Sequence, residues 1–79
     1  MKTKQVTIYS ATWCAFCHMA KQYLDQRGVS YIDKDVDQSM DNLRESVEKS
    51  GQRGIPVIDI DGQIIVGFDR PKIDAALAK

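Results

Sequence analysis

Residues 6–21 read VTIYSATWCAFCHMAK, and this stretch decides the fold. It opens with strand-forming residues, passes through a short polar segment and then contains both cysteines of the chain, Cys14 and Cys17. Two cysteines separated by two residues are typical of redox catalysis, of metal binding or of a structural cross-link. The features around the pair bear on which of these uses applies.

Length and charge limit the possible functions. A chain of 79 residues suits a single domain over 1–79, with a net stability of about 4–12 kcal/mol at ordinary per-residue values. Eleven Lys and Arg residues balance eleven Asp and Glu residues, so no large field of one sign is available to recruit nucleic acid or an anionic membrane. We therefore expect neither as a partner, and we expect a monomer.

The N-terminal sequence MKTKQVTIYS lacks the continuous apolar segment of a signal peptide, because Thr7 and Ser10 interrupt its short apolar run. No stretch approaches the roughly 20 apolar residues of a transmembrane helix. We therefore expect a cytoplasmic protein. In that compartment two closely spaced cysteines are more often catalytic or metal-binding than a structural cross-link.

The cysteine-containing stretch begins a β-α-β unit. Alternating strand formers predict strands at 5–9 and 31–36. Between them five residues recur at helical spacing, and Gly28 occupies the position of a helix C-terminus, which predicts a helix over 15–27. The recurring residues are Phe16, Ala20, Tyr23, Leu24 and Arg27. The two strands are expected to be parallel, since a helix connects them.

A second helix is predicted at 38–50. Its apolar residues are spaced four, three and four apart, Asp37 or Ser39 is available as the N-cap, and Gly51 marks the end. The apolar positions are Val36, Met40, Leu43 and Val47.

The remaining sequence predicts a hairpin and a final helix. Two apolar runs within 57–66 flank Asp61-Gly62, a dipeptide that suits a two-residue type I′ turn. The segment 69–79 suits a helix capped by Asp69, with a proline in its first turn. Its inward-facing residues are expected to be Ile73, Ala76 and Leu77. The order β-α-β-α-β-β-α predicts an α/β fold with a four-stranded mixed sheet and helices on both faces.

A helix that begins just after Cys14 places its sulfur beside unpaired backbone N–H groups and the positive end of the helix dipole. Cysteines in such positions have a pKa of about 3.5–7.5 instead of about 8.5, so we expect a thiolate at neutral pH. Cys17 lies one turn further along the same face, deeper in the domain. Cys14 is therefore the predicted nucleophile, and Cys17 is the predicted thiol that resolves the mixed disulfide.

A metal site is the main chemical alternative. A closed zinc site needs four ligands, and the sequence has no second C-x-x-C and no H-x-x-x-H, so we expect no resident metal. A second alternative is a cluster-binding or partner-binding module. In such a module two chains would share an iron–sulfur cluster through Cys14 and an external thiol. His18 follows Cys17 directly, and we expect it on the helix surface, because adjacent helical residues do not face each other.

Two large side chains flank the cysteines. Trp13 precedes the pair and Phe16 lies within it, and together they predict an apolar rim that suits docking of a disulfide substrate. Phe16 is expected to be exposed, because the position between two cysteines at a helix start faces outward.

The chain resembles the glutaredoxins, which have the thioredoxin fold, over nearly its whole length. The resembling segments are VTIYSATWCAFCHMAK at 6–21, GIPV at 54–57 and VGFDRP at 66–71. The resemblance implies a thioredoxin-like fold and a dithiol thiol–disulfide oxidoreductase that reduces protein or glutathione mixed disulfides. It implies glutathione as the co-substrate, with no bound cofactor.

The resemblance also assigns binding residues. They are Arg53, Ile55, Pro56, Gly67, Phe68 and Asp69. The resemblance implies that Pro56 is cis and stands next to the cysteines, which would leave the backbone of Ile55 open to a substrate in a strand-like pairing. The segment 67–69 resembles the one that holds the γ-glutamyl end of glutathione, and Arg53 is similar in position to a residue that meets a glutathione carboxylate.

Several positions depart from the common glutaredoxin pattern. Ala15-Phe16 replaces Pro-Tyr between the cysteines, no lysine occurs at 10–13, and Gly54-Ile55 replaces Thr-Val before the proline. Trp13 and the segment GFDRP at 67–71 resemble those of small glutaredoxin-like proteins that thioredoxin reductase reduces and that donate electrons to ribonucleotide reductase, although Val66 replaces their serine and Asp69 is inserted. The resemblance thus leaves two electron sources, glutathione or thioredoxin reductase.

Overall fold

The computed structural model describes residues 4–79 and confirms the predicted order of seven elements. The strands and helices are β1 Val6–Ser10, α1 Ala15–Gln26, β2 Ile32–Asp35, α2 Met40–Ser50, β3 Val57–Ile60, β4 Gln63–Val66 and α3 Arg70–Ala78. Residues 1–3, part of the segment used above to argue against a signal peptide, lie outside the described residues. Within residues 4–79 no helix has the length and hydropathy to cross a membrane.

The four strands form one mixed sheet in the order β2-β1-β3-β4. β1 is parallel to β2, as the β-α-β unit requires, and antiparallel to β3, which pairs antiparallel with β4. In the centre of the sheet Ile8 is paired with Asp33 on one side and with Ile58 on the other. The predicted four-stranded mixed sheet of the thioredoxin-like fold is confirmed.

The strands bury alternate side chains on opposite faces of the sheet. One face packs against α1 and α3, and its core residues are Val6, Ile8, Ala20, Leu24, Ile58, Ile60, Ile65, Ile73 and Ala76. The second core cluster, here called the cysteine cluster, packs against α2 through Leu43. Its buried residues are Tyr9, Ala11, Cys14, Cys17, Val36 and Val57. Helices therefore cover both faces, as predicted.

The hairpin between β3 and β4 turns at Asp61-Gly62, as predicted. The φ angles of these two residues are 49° and 92°, and positive φ at both central residues is what a type I′ turn requires. Asp61 Oδ1 accepts a hydrogen bond from the backbone N–H of Gln5 at 2.8 Å. The turn is thereby tied to the residue that precedes β1.

The start of α2 differs from the sequence prediction. The helix begins at Met40 and not at 38, because Ser39 is the N-cap and accepts a hydrogen bond from the backbone N–H of Asn42 at 3.3 Å. Met40, predicted on the apolar face, is 71% exposed. Val36 was predicted on the same face, but it lies in the loop before the helix. Its side chain is buried in the cysteine cluster.

Candidate active site

Cys14 is the N-cap residue of α1. Its backbone is extended (φ −89°, ψ 108°), and its Sγ accepts a hydrogen bond from the backbone N–H of Cys17 at 3.1 Å. A tight turn precedes the helix, because the Cys14 N–H donates to the carbonyl of Ala11 at 3.1 Å. An N–H aimed at the sulfur from a helix N-terminus stabilises a thiolate. This geometry supports a low pKa for Cys14, which stays a prediction.

Cys14 and Cys17 are joined by a disulfide, with their Cα atoms 5.2 Å apart. Cys14 is 6% exposed and Cys17 is fully buried, so the second cysteine lies deeper, as predicted. The Cα separation is in the ordinary range for a disulfide, so the bridge forms without a change in the backbone. The arrangement can therefore exchange between a dithiol and a disulfide.

The two predicted rim residues face solvent. Trp13 is 70% exposed and Phe16 is 62% exposed. Met19, three residues after Phe16 on α1, is also exposed. The N-terminal half of α1 thus carries an apolar outer surface beside the disulfide, and exposed aromatic side chains of this kind suit docking of a partner.

His18 lies on the surface of α1, as predicted. Its Nε2 is 2.8 Å from the carbonyl oxygen of Thr12. Because a carbonyl oxygen only accepts hydrogen bonds, Nε2 carries a proton and donates it to this contact. Within residues 4–79 no group of three or more His, Cys, Asp or Glu side chains is arranged to hold a metal ion.

The loop before β3 lies against the cysteine cluster. The Ile55–Pro56 peptide bond is cis, Pro56 is fully buried, and the Ile55 side chain packs against the cluster that contains both cysteines. The backbone N–H and C=O of Ile55 make no hydrogen bond to the rest of the described chain, residues 4–79. The carbonyl of Pro56 accepts a hydrogen bond from the N–H of Gly67 at 2.8 Å, which joins this loop to the segment after β4.

Comparison with known proteins decides the family. The glutaredoxin family model matches residues 6–65, a range that includes the cysteine pair and the loop before β3. The chain belongs to the glutaredoxin family. A relative from Clostridium pasteurianum, described as an uncharacterized glutaredoxin-like 8.6 kDa protein in the rubredoxin operon, is 39% identical over 74 residues. The alignment covers 94% of this chain and 99% of that protein.

Two solved structures are similar in fold to this glutaredoxin-family chain. The buckwheat glutaredoxin–glutathione complex aligns with a TM-score of 0.77 at 28% identity, covering 95% of this chain and 74% of that one. NrdH-redoxin from Escherichia coli, described as a glutaredoxin-like protein with a thioredoxin-like activity profile, aligns with a TM-score of 0.80 at 27% identity. This second alignment covers 90% of this chain and 92% of that one.

The segment 67–69 connects β4 to α3. Gly67 has a φ of 84°, in the left-handed region that favours glycine. Phe68 is half-buried and packs edge-to-face against Tyr23 of α1, with ring centroids 5.9 Å apart. Asp69 is the N-cap of α3 and accepts a hydrogen bond from the backbone N–H of Lys72 at 3.2 Å, as predicted for the helix. Of the three, Gly67 is the residue bonded to the loop before β3.

Arg53 lies in the loop before β3, two positions before Ile55. It is exposed and lines a groove of about 240 Å³ along α2. The other lining residues are Met40, Leu43, Arg44, Val47 and Glu48. Leu43 also packs against the cysteine cluster, so this groove adjoins the side of the cluster that α2 covers.

Sequence analysis missed one residue of the site, Asp37. It was considered only as a cap of α2, but its carboxylate accepts a hydrogen bond from the indole N–H of Trp13. A signal was available, because Trp13 and Asp37 follow the carboxyl ends of β1 and β2. The ends of neighbouring parallel strands meet at one edge of a sheet. Side chains beyond both strands are therefore candidates for contact.

A charged network lies behind the cysteine cluster, on the side of α2. The hydroxyl of the buried Tyr9 donates to Glu45 Oε1 at 2.8 Å, and Lys34 Nζ donates to the same oxygen at 2.9 Å. Burial, together with the bond to Glu45, raises the pKa of Tyr9. The bond from Lys34 lowers the pKa of Glu45. Lys49 pairs with Asp59 at 2.6 Å, so the network fastens α2 to β1, β2 and β3.

Proposed function

We propose that the chain is a dithiol thiol–disulfide oxidoreductase that reduces protein or glutathione mixed disulfides. The observation that carries the proposal is the hydrogen bond from the Cys17 N–H to the Cys14 sulfur at the N-terminus of α1. This position stabilises a thiolate both when it attacks and when it leaves. Membership of the glutaredoxin family supports the same activity.

In this reaction the Cys14 thiolate attacks one sulfur of the substrate disulfide, and the other substrate sulfur leaves as a thiolate that takes up a proton. The Cys17 thiolate then attacks the Cys14 sulfur of the mixed disulfide. The second substrate sulfur leaves in the same way, and the Cys14–Cys17 disulfide forms. Two electrons pass from the dithiol to the substrate, and the oxidised pair must then be reduced by an external thiol.

We propose glutathione as that external thiol. Within residues 4–79 the backbone N–H and C=O of Ile55 have no hydrogen-bond partner, so they are available for a strand-like pairing, and Gly67 is bonded to the same loop. Arg53, exposed in the same loop, offers a cation to a carboxylate. The buckwheat glutaredoxin, similar in fold, is described as a complex with glutathione. These features support a glutathione site that extends from Cys14 past Ile55 to 67–69.

A second candidate, reduction by thioredoxin reductase and donation of electrons to ribonucleotide reductase, also has a specific basis. Trp13 directly precedes Cys14, and 10–13 contain no lysine, which departs from the common glutaredoxin pattern. NrdH-redoxin, whose activity profile is described as thioredoxin-like, is similar to the chain over 90% of its length. These features support a protein reductase as the electron source.

Consumption of NADPH with a disulfide substrate separates the two candidates. One mixture contains glutathione and glutathione reductase, and the other contains thioredoxin reductase alone. If turnover occurs in the first mixture and not in the second, it supports the glutathione site. If turnover occurs in the second mixture and not in the first, it supports the thioredoxin-like donor. Cys14→Ser should abolish turnover in both, whereas Cys17→Ser should accumulate mixed disulfides. Full reduction of protein disulfides by Cys17→Ser would contradict the assigned roles.

The oxidoreductase is proposed as a monomer of one domain in the cytoplasm, with protein disulfides as partners and neither nucleic acid nor membrane. Absence of turnover in both mixtures would overturn the activity. A brown colour after anaerobic reconstitution with iron, sulfide and glutathione would then favour a cluster-binding or partner-binding module. Size-exclusion chromatography of the same sample would tell a cluster-bridged dimer from the proposed monomer.

A further inference from the structure

The carboxylate of Asp37 holds the side chain of Trp13 beside the cysteine pair. The indole Nε1–H donates to Asp37 Oδ2 at 2.5 Å, across 24 positions of sequence. Trp13 directly precedes the N-cap Cys14, and Asp37 lies in the loop between β2 and α2. The bond therefore links the segment after β1 to the segment after its parallel neighbour.

The loop that carries Asp37 is itself fixed. The carboxylate of Asp35 accepts hydrogen bonds from the backbone N–H of Asp37 at 2.8 Å and of Gln38 at 3.1 Å. The N–H of Val36 donates to the carbonyl of Ser10 at 2.9 Å, and the Val36 side chain is buried in the cysteine cluster. The acceptor for the indole thus projects from an ordered turn.

Within the part of the chain that the structure describes, residues 4–79, the Asp37 carboxylate makes this one hydrogen bond, and the indole face is open to a partner. Ser39, not Asp37, caps α2. The indole is anchored through its one polar atom while 70% of the Trp13 side chain stays exposed. An aromatic side chain that is ordered before binding loses less conformational freedom on docking than a mobile one.

We propose that Asp37 is a positioning residue for substrate docking, which holds the Trp13 indole as an apolar wall next to Cys14. The substrate class that this wall fits is a protein disulfide, because the apolar chain around the disulfide can pack on the indole. The inference rests on the proposed oxidoreductase function and deepens it. Asp37 itself touches no reacting atom and acts through Trp13.

Fluorescence tests the positioning role without any turnover, since Trp13 is the single tryptophan of the chain. Asp37→Ala removes the acceptor and should increase the fast local component of the time-resolved fluorescence anisotropy. Asp37→Asn keeps an acceptor oxygen and should behave like the parent chain. Asp41→Ala removes an exposed carboxylate on the first turn of α2 and is the matched control for charge.

Steady-state kinetics test the docking role, with insulin as the protein disulfide and dithiothreitol as the electron donor. Asp37→Ala should raise KM about two- to tenfold at unchanged kcat, which is the range expected when one large side chain must be ordered on binding. Asp37→Asn and Asp41→Ala should keep the parent KM. In a Trp13→Phe background, Asp37→Ala should have no further effect, because the two residues act as one unit.

Three results would overturn the inference. They are an unchanged anisotropy in Asp37→Ala, an unchanged KM in that variant, and a KM effect that persists in the Trp13→Phe background. An inactive parent chain would be a different result, because it would overturn the proposed function and the docking role with it. An active parent that is insensitive to Asp37→Ala overturns the positioning inference alone.

Discussion

At the scale of single residues, the backbone N–H of Cys17 donates to the Cys14 sulfur and is predicted to lower the pKa of its thiol. A fall in thiol pKa from about 8.5 to about 6 raises the thiolate fraction at pH 7 roughly thirtyfold but lowers intrinsic nucleophilicity roughly tenfold. The net gain in attack is therefore small. The larger consequences predicted for such a pKa are that Cys14 leaves readily when Cys17 attacks and that the dithiol form is stabilised.

The Cys17→Ser variant makes the Cys14 pKa measurable, because serine keeps the backbone N–H that donates to the sulfur. Thiolate absorbance followed against pH should give a midpoint within about 3.5–7.5. The same variant unfolded in urea is the control and should titrate near 8.5, the ordinary value. A folded midpoint equal to or above that of the unfolded control would contradict the predicted thiolate.

Tyr9 connects the cysteine cluster to the charged network behind it. Its side chain is fully buried, and its hydroxyl donates to Glu45. Tyr9→Phe removes this bond but leaves Glu45 paired with Lys34 and partly hydrated, so we expect a loss of about 1 kcal/mol in the free energy of unfolding near pH 7. Urea unfolding followed by circular dichroism measures the loss.

The free energies of unfolding of the parent chain and of Tyr9→Phe should also depend differently on pH. Because burial raises the pKa of Tyr9 above 10.0, the unfolded chain loses this proton first, and stability falls as pH rises above that value. The raised pKa values of Lys34 and Lys49 act in the same direction, but both lysines remain in Tyr9→Phe. The stability difference between the two proteins should therefore be constant below about pH 10 and shrink as pH rises above that value. A difference that stays constant above that value would contradict the raised pKa.

At the scale of elements, Asp69 at the start of α3 has one observed role and one proposed role. Its carboxylate caps the helix, and it is also the acidic residue assigned to glutathione. Asp69→Asn keeps the cap, so its free energy of unfolding should stay near that of the parent, whereas Asp69→Ala should lose about 1 kcal/mol. Both variants should raise KM for a glutathionylated peptide about tenfold, because both lose a charged partner. An unchanged KM in Asp69→Asn would leave Asp69 with the cap alone.

Local signals predict most helix and strand ends, and tertiary contacts explain the exception. The type I′ dipeptide and the caps at Asp69 and Gly51 are satisfied by neighbouring residues, so sequence suffices for them. The cap of α2 was ambiguous between Asp37 and Ser39, because both have an acceptor side chain. The indole of Trp13 engages Asp37, and Ser39 caps the helix. The signal for such a contact comes from the pairing of β1 with β2 and not from the residues next to Asp37 in sequence.

At the scale of the whole molecule, the sheet brings together the parts of the site. Cys14 and Cys17 are neighbours on one helix, so their pairing is predictable from spacing alone. The contacts of Ile55 with the cysteine cluster and of Phe68 with Tyr23 depend on strand register and helix rotation. The family resemblance indicated that the loop of Ile55 lies next to the cysteines. No feature of the sequence indicated the contact between Phe68 and Tyr23. Side-chain contacts between residues far apart in sequence are therefore the part of the site that local sequence patterns do not predict.

The stability of the whole domain depends on a small core, and this makes the central strands sensitive. Ile58 is fully buried in β3 and paired with Ile8 of β1, whereas Ile32 starts the edge strand β2 and is 46% exposed. Ile58→Ala should lose about 2–5 kcal/mol in the free energy of unfolding, out of a total of about 4–12 kcal/mol. Ile32→Ala, with the same chemical change, should lose about 1 kcal/mol or less, because about half of its surface stays in contact with water. Urea midpoints measure both losses, and equal losses would mean that the edge strand contributes as much to the core as the centre of the sheet.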